Sequence, residues 1–94
     1  MLTTELHDGI TVLRINHGKV NAFDLELMHR WIDEITLLER AETSAVVLTG
    51  TGSVFSAGVD LRQLIAGGPE YVQEFVPLLG DMLFKTFTFP KPLV

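Results

Sequence analysis

The residues best placed to do chemistry run from Val46 to Leu61, in the order Val-Val-Leu-Thr-Gly-Thr-Gly-Ser-Val-Phe-Ser-Ala-Gly-Val-Asp-Leu. They read as a strand, a glycine-punctuated turn and a small-residue loop that opens a helix. The apolar run Ala45 to Leu48 is too short for a globular helix and has the composition of a strand covered on both faces. Gly50 and Gly52 are expected to turn the chain sharply, because glycine takes positive φ without the steric cost of a Cβ. Ser56-Ala57-Gly58 carries little side-chain bulk, so a ligand can approach the main chain closely. Asp60 stands where a helix N-cap would stand, ahead of Leu61, Leu64 and Ile65. The first N–H groups of a helix have no partner within it, and such donors can hold negative charge as it develops on a substrate oxygen.

Other chemistries fit less well. Gly50-Thr51-Gly52 after a strand superficially suggests a nucleotide-binding turn, but the third glycine of the dinucleotide pattern falls at Phe55 and no P-loop lysine follows. His7, His17 and His29 have no metal-binding spacing and read as surface residues. Glu26, Asp33 and Glu34 fit the solvated face of a helix rather than an acid/base pair, and capping explains the placement of Asp60.

The elements that must position the loop lie on both sides of it. His7-Asp8-Gly9, between the runs Leu2 to Leu6 and Ile10 to Ile15, predicts a hairpin with Gly9 at positive φ. Ile10, Val12 and Arg14 alternate with Thr11, Leu13 and Ile15, so both faces carry apolar groups, as in a central strand. After a turn at Asn16-His17-Gly18-Lys19, Asp24 is the expected cap of a helix running to about Arg40. Leu25, Met28, Trp31, Ile32, Ile35 and Leu38 form its apolar stripe. Strand, helix and strand in this order predict a right-handed crossover onto a parallel neighbour at 45–49. Gly67-Gly68-Pro69 is expected to break the short helix after Asp60. A longer apolar helix follows from about Glu70 to Thr88, bent or interrupted at Pro77 and Gly80. Its Phe75, Leu78, Leu79, Met82, Leu83, Phe84 and Phe87 cover more than one face, which calls for an acyl chain or a further part of the protein against them.

Composition narrows the partners. At 94 residues the chain is one small domain at most, burying about two-thirds of its unfolded surface. The apolar share of 47% suffices for a core, and a net charge of −5 with dispersed basic residues argues against nucleic acid and anionic membrane surfaces. With no cysteine, disulfides and thiolate chemistry are excluded. Charged residues interrupt every apolar stretch before it is long enough to cross a bilayer. Met1-Leu2-Thr3-Thr4-Glu5 has no secretory pattern, and a cytoplasmic location is the expectation.

Phe55-Ser56-Ala57-Gly58-Val59-Asp60-Leu61 after Val47-Leu48-Thr49-Gly50 closely resembles the signature of the crotonase superfamily, the enoyl-CoA hydratase/isomerase enzymes. Three further segments fit in order: the strand pair, the Asn21-Ala22-Phe23 link into the first helix, and Phe89-Pro90-Lys91-Pro92-Leu93-Val94. The resemblance covers nearly the whole chain. It implies an α/β fold, the crotonase-like ββα spiral, with residues 1–94 as the N-terminal part of a single domain that is incomplete at its C-terminal side. The chain departs from the family's pattern where Asn16-His17-Gly18 replaces an Asn-Arg-Pro type turn and the link to Asn21 is one residue shorter.

The resemblance also implies roles. The backbone N–H of Val59 would donate to the thioester oxygen of an acyl-CoA, and the carbonyl of Ala57 would meet the adenine amino group. The main chain of Asn21-Ala22, preceded by Lys19 and Val20, would border the adenine, and Lys19, Val20, Ala22, Ser56, Gly58, Asp60 and Leu61 complete the substrate-binding set with Ala57. Phe75, Leu79 and Met82 are candidates for an acyl pocket, with core packing as the alternative. In the family a second oxyanion donor and the acid/base glutamates come after the point where this sequence stops, so no turnover is expected of the chain as given. No metal or redox cofactor is implied, since coenzyme A is part of the substrate. The expected assembly, when complete, is a homo-oligomer, a trimer or hexamer. An alternative reading is a non-catalytic fragment or subunit that acts through its apolar C-terminal helix as an interaction surface.

Overall fold

The computed structural model describes all 94 residues, Met1–Val94. Strand β1, Leu2–His7, pairs antiparallel with β2, Ile10–Ile15, with Leu2 opposite Ile15 and His7 opposite Ile10. The two turn residues both take positive φ, 50° at Asp8 and 83° at Gly9, a backbone twist that matches the twist of the strands it joins. The chain then passes through helix α1, Leu25–Arg40, to β3, Ala45–Thr49, which lies parallel to β2 with Ile10 opposite Ala45. The sheet order β1-β2-β3 puts β2 in the centre, as its two apolar faces predict.

The outer edge of β3 is covered by the last residues of the chain. The Val46 N–H donates to the Pro92 carbonyl at 2.9 Å, the Leu48 N–H to Val94 at 2.7 Å, and the Val94 N–H returns to Val46 at 3.0 Å. Leu93 thus pairs in parallel with Val46.

Helix α1 begins where a capping residue stands: Asp24 Oδ1 accepts from the Leu27 N–H at 2.8 Å. It ends under a cation, with Lys91 Nζ donating to the carbonyls of Leu38 (2.8 Å) and Ala41 (2.7 Å), where the helix dipole favours positive charge. Its Leu27, Met28, Trp31, Ile35 and Leu38 meet Leu13 and Ile15 of β2 in a single core cluster with Leu2, Val46 and Phe89.

Helix α2, Leu61–Phe87, adds Phe75 and Met82 to that core. The Trp31 indole N–H reaches across to Thr86 Oγ1 at 2.8 Å, and Lys85 meets Glu39 at 3.3 Å, so polar contacts fix α1 and α2 together.

Three expectations are corrected. The helix breaks at Gly68 (φ 70°, ψ −163°) as expected, but Pro77 and Gly80, expected to bend or interrupt the longer helix after it, keep helical geometry. Pro77 donates no N–H bond, but Gln73, four residues earlier, is exposed, so its carbonyl can bond to water. Gly50 does not take positive φ. It is glycine for room, because a Cβ there would lie 2.0 Å from the Val54 carbonyl oxygen. His17 is not a free surface residue: with its side chain 20% exposed, its Nε2 donates to Asp24 Oδ2 at 2.6 Å. No helix is long and apolar enough to cross a membrane.

Candidate functional site

The glycine-punctuated turn after β3 is tight: Thr51 and Val54 exchange backbone bonds of 3.1 and 3.2 Å around Gly52 (φ 61°) and Ser53. The Arg14 guanidinium donates to the Gly50 carbonyl at 3.0 Å, tying the end of β3 to the central strand. Beyond the turn, the chain from Ala57 to Asp60 runs beside the segment Val20 to Phe23. The Ala57 N–H donates to the Val20 carbonyl (2.9 Å), the Phe23 N–H to Gly58 (2.7 Å) and the Asp60 N–H to Phe23 (2.9 Å). Phe23 and Val59 form a parallel bridge.

In such a pairing alternate amides point away from the neighbour. Gly58, at φ 86°, gives its N–H to Ser56 Oγ at 3.0 Å. The Val59 N–H, alone of the four from Ala57 to Asp60, donates to nothing within the chain. Asp60 then caps α2, its Oδ1 accepting from the Gln63 N–H at 3.2 Å.

The residues that the family pattern singles out are brought together in part. Val20 and Ala22 share the paired segment opposite Ala57, Gly58 and Val59, whose side chains and backbone are exposed or half-buried. The Ala57 carbonyl accepts no hydrogen bond from the chain. The hydroxyl of Ser56 is turned inward, donating to the Asn21 carbonyl at 2.7 Å. Lys19 is exposed and bonds to nothing, and Leu61, 66% exposed, presents its side chain to solvent. Phe75 and Met82 are each about 1% exposed, so they are core residues, not lining of an open pocket.

Asn21 is the residue that the motif reading undervalued. It is 2% exposed and sits at φ 51°, a left-handed conformation that asparagine tolerates better than most residues. Its Nδ2 lies 3.0 Å from the Phe55 carbonyl, 3.3 Å from Ile15 and 3.4 Å from Val54, while Oδ1 accepts from the His17 N–H at 2.7 Å. The signal available in the sequence was an asparagine in a link between two turn-rich segments.

Tyr71 lies close by. Its hydroxyl donates to Gln63 Oε1 at 3.1 Å, and its ring stacks on Phe75 with centroids 5.8 Å apart. Burial pushes its pKa above the usual tyrosine range, with Asp24, Asp60 and Glu74 adding to the rise and the Leu25 backbone opposing it.

The one well-formed cleft, about 390 Å³, is elsewhere, between the β1 hairpin and the end of α1, lined by Thr4, Glu5, Leu6, Leu38, Glu42 and neighbours. It shares no residue with the loop at 55–61. No group of His, Asp or Glu is clustered as a metal site.

The chain as a whole resembles known proteins in sequence and in fold. The sequence model of the family described as Enoyl-CoA hydratase/isomerase matches residues 5–94. The chain belongs to that family. Enoyl-CoA delta isomerase 3, peroxisomal, of Mus musculus is 34% identical over 102 residues, which take in all of this chain and 30% of the mouse protein. Enoyl-CoA delta isomerase 2 of Homo sapiens is 31% identical, with 99% of this chain and 25% of the human protein aligned. The structure of Pseudomonas aeruginosa DspI superposes with a TM-score of 0.90 at 29% identity, covering 98% of this chain and 38% of DspI. The fold is therefore the α/β crotonase fold of the enoyl-CoA hydratase/isomerase enzymes, and the chain spans a quarter to two-fifths of the length of these relatives.

Proposed function

We propose that this chain supplies the carbonyl-binding part of an acyl-CoA active site of the enoyl-CoA hydratase/isomerase type, with the Val59 N–H as a donor to the thioester oxygen. The observation that carries this reading is the distribution of amides in the loop. Ala57, Gly58 and Asp60 are committed within the chain, and Val59 is the one left to donate outward. A thioester carbonyl gains negative charge as a proton leaves or a nucleophile adds beside it. A fixed amide stabilises that charge more than the ground state and so lowers the barrier. The Ala57 carbonyl, which accepts no hydrogen bond from the chain, offers an acceptor for the adenine amino group. Val20, Ala22 and Lys19 would border the adenine, with Ser56, Gly58, Asp60 and Leu61 shaping the approach. Proton transfer and the second donor fall to residues outside this chain, and coenzyme A enters with the substrate. Assembly into a homo-oligomer belongs to the same reading.

The test is the infrared carbonyl stretch of crotonyl-CoA, labelled with ¹³C at C1, mixed with this protein and with its Val59→Pro variant. Proline removes the donor N–H at a position where no bond within the chain is lost. The stretch should fall to lower wavenumber with the parent chain and return to the solution value with Val59→Pro. In a protein carrying the rest of the fold, Val59→Pro should lower turnover by about a hundred- to a thousandfold, and Asp60→Asn, which preserves a cap, should change it little. An unshifted stretch with the parent chain sinks the reading.

A second reading has its own observation. Leu83, Phe84 and Phe87 are 55%, 70% and 90% exposed along the last turns of α2, which suits an interaction surface in a non-catalytic subunit. Binding to another protein chain without any affinity for acyl-CoA thioesters would favour it.

A further inference from the structure

We propose that Asn21 is the positioning residue that aims the Val59 amide, an inference that rests on the reading of Val59 as a carbonyl donor. The turn after β3, more than thirty residues away in sequence, meets the end of β2 and the turn before α1 at this one side chain. Its Nδ2 hydrogens are shared among the carbonyls of Phe55 (3.0 Å), Ile15 (3.3 Å) and Val54 (3.4 Å), and its Oδ1 accepts from the His17 N–H (2.7 Å). The end of β2, the turn before α1 and the turn after β3 are held to one another by it.

Its main chain acts in the same place. At φ 51° the backbone turns so that the Asn21 carbonyl accepts from the Ser56 hydroxyl at 2.7 Å. Ser56 Oγ in turn accepts from the Gly58 N–H at 3.0 Å. Without that relay the Gly58 amide would compete with Val59 for an incoming oxygen, and the peptide plane that carries the Val59 N–H would be held only by the bond from the Phe23 N–H to the Gly58 carbonyl (2.7 Å). The bonds from the Ala57 N–H to the Val20 carbonyl and from the Asp60 N–H to the Phe23 carbonyl flank this relay on both sides and end within two residues of Asn21. Asparagine is suited to all of this, because it combines tolerance of the left-handed region with a donor pair and an acceptor on one short side chain. Burial at 2% exposure protects these bonds from competition with water.

The experiment uses the 94-residue chain and two variants. Asn21→Asp keeps the size of the side chain and its acceptor for His17 but replaces the donor pair with an oxygen facing three carbonyls. Asn21→Gly keeps access to positive φ and removes the side chain, so it holds the fold if the aspartate does not. Two readouts separate aim from folding. Amide hydrogen exchange at Ala57, Gly58 and Asp60 should accelerate by about tenfold in both variants, the loss of one or two ordinary hydrogen bonds, while Leu13 and Ile35 in the core keep their rates. The infrared shift of bound crotonyl-CoA should shrink or vanish while its dissociation constant changes by much less.

Unchanged exchange at the loop amides, or an unchanged carbonyl shift in a folded variant, overturns the proposal, as does acceleration spread evenly through the core. If the parent chain itself leaves the carbonyl unshifted, the reading of Val59 fails, and the exchange rates alone decide whether Asn21 holds the loop.

Discussion

At the residue scale, the two glycines of the turn after β3 serve different ends, and substitution should separate them. Gly52 supplies positive φ in open space, whereas a Cβ on Gly50 would lie 2.0 Å from the Val54 carbonyl oxygen and 2.6 Å from Phe55 Cα. Gly50→Ala should therefore lower stability by about 3 kcal/mol in urea unfolding, because backbone must move to admit the methyl group. Tyr71 gives a pH signature. Its raised pKa means that the folded chain keeps the phenolic proton where the unfolded chain has lost it. That contribution to stability is complete below the ordinary tyrosine pKa of about 10 and is lost as pH rises beyond it. Urea titrations from about pH 9 upward should show a decline that Tyr71→Phe reduces. Single-residue roles were unevenly legible. Asp24 and Asp60 could be read as caps because a cap acts on an amide three residues away. The hold of Asn21 on Val54 and Phe55, and the reason for glycine at 50, depend on atoms brought together by the fold and have no local signature.

At the scale of elements, the order of strands and helices was legible because each carries its own period. β2 has apolar groups on both faces and is central, and the stripe on α1 is the side that enters the core. The kink at Gly68 was marked by glycine beside proline. Continuity through Pro77 was not, since an exposed helix face tolerates an unbonded carbonyl that a buried one would not. Elements also meet through contacts that no period announces. Lys91 joins the final segment to the end of α1 by donating to Leu38 and Ala41 at 2.8 and 2.7 Å. Lys91→Met keeps the apolar stem and removes both charged bonds. It should cost about 1–2 kcal/mol, measured by thermal or urea unfolding, with a smaller loss at high salt.

For the whole molecule, the decisive quantity is how little of its apolar content is covered. Apolar residues make up 47% of the chain, yet 17 of 94 residues are buried, and Val76, Leu83, Phe84 and Phe87 stand 57%, 55%, 70% and 90% exposed. A surface of this kind promotes association. Sedimentation velocity should show species that grow with concentration, and the Phe84→Ser/Phe87→Ser pair should reduce them while changing unfolding stability by less than about 0.5 kcal/mol. The closure of β3 by Pro92–Val94 adds a constraint in time. On the ribosome, this strand emerges with one flank bare, and its covering strip follows roughly 45 residues or a few seconds later at ordinary translation speeds. Until then the nascent chain carries an open strand edge, the moment at which a chaperone or a neighbouring polypeptide has most access to it.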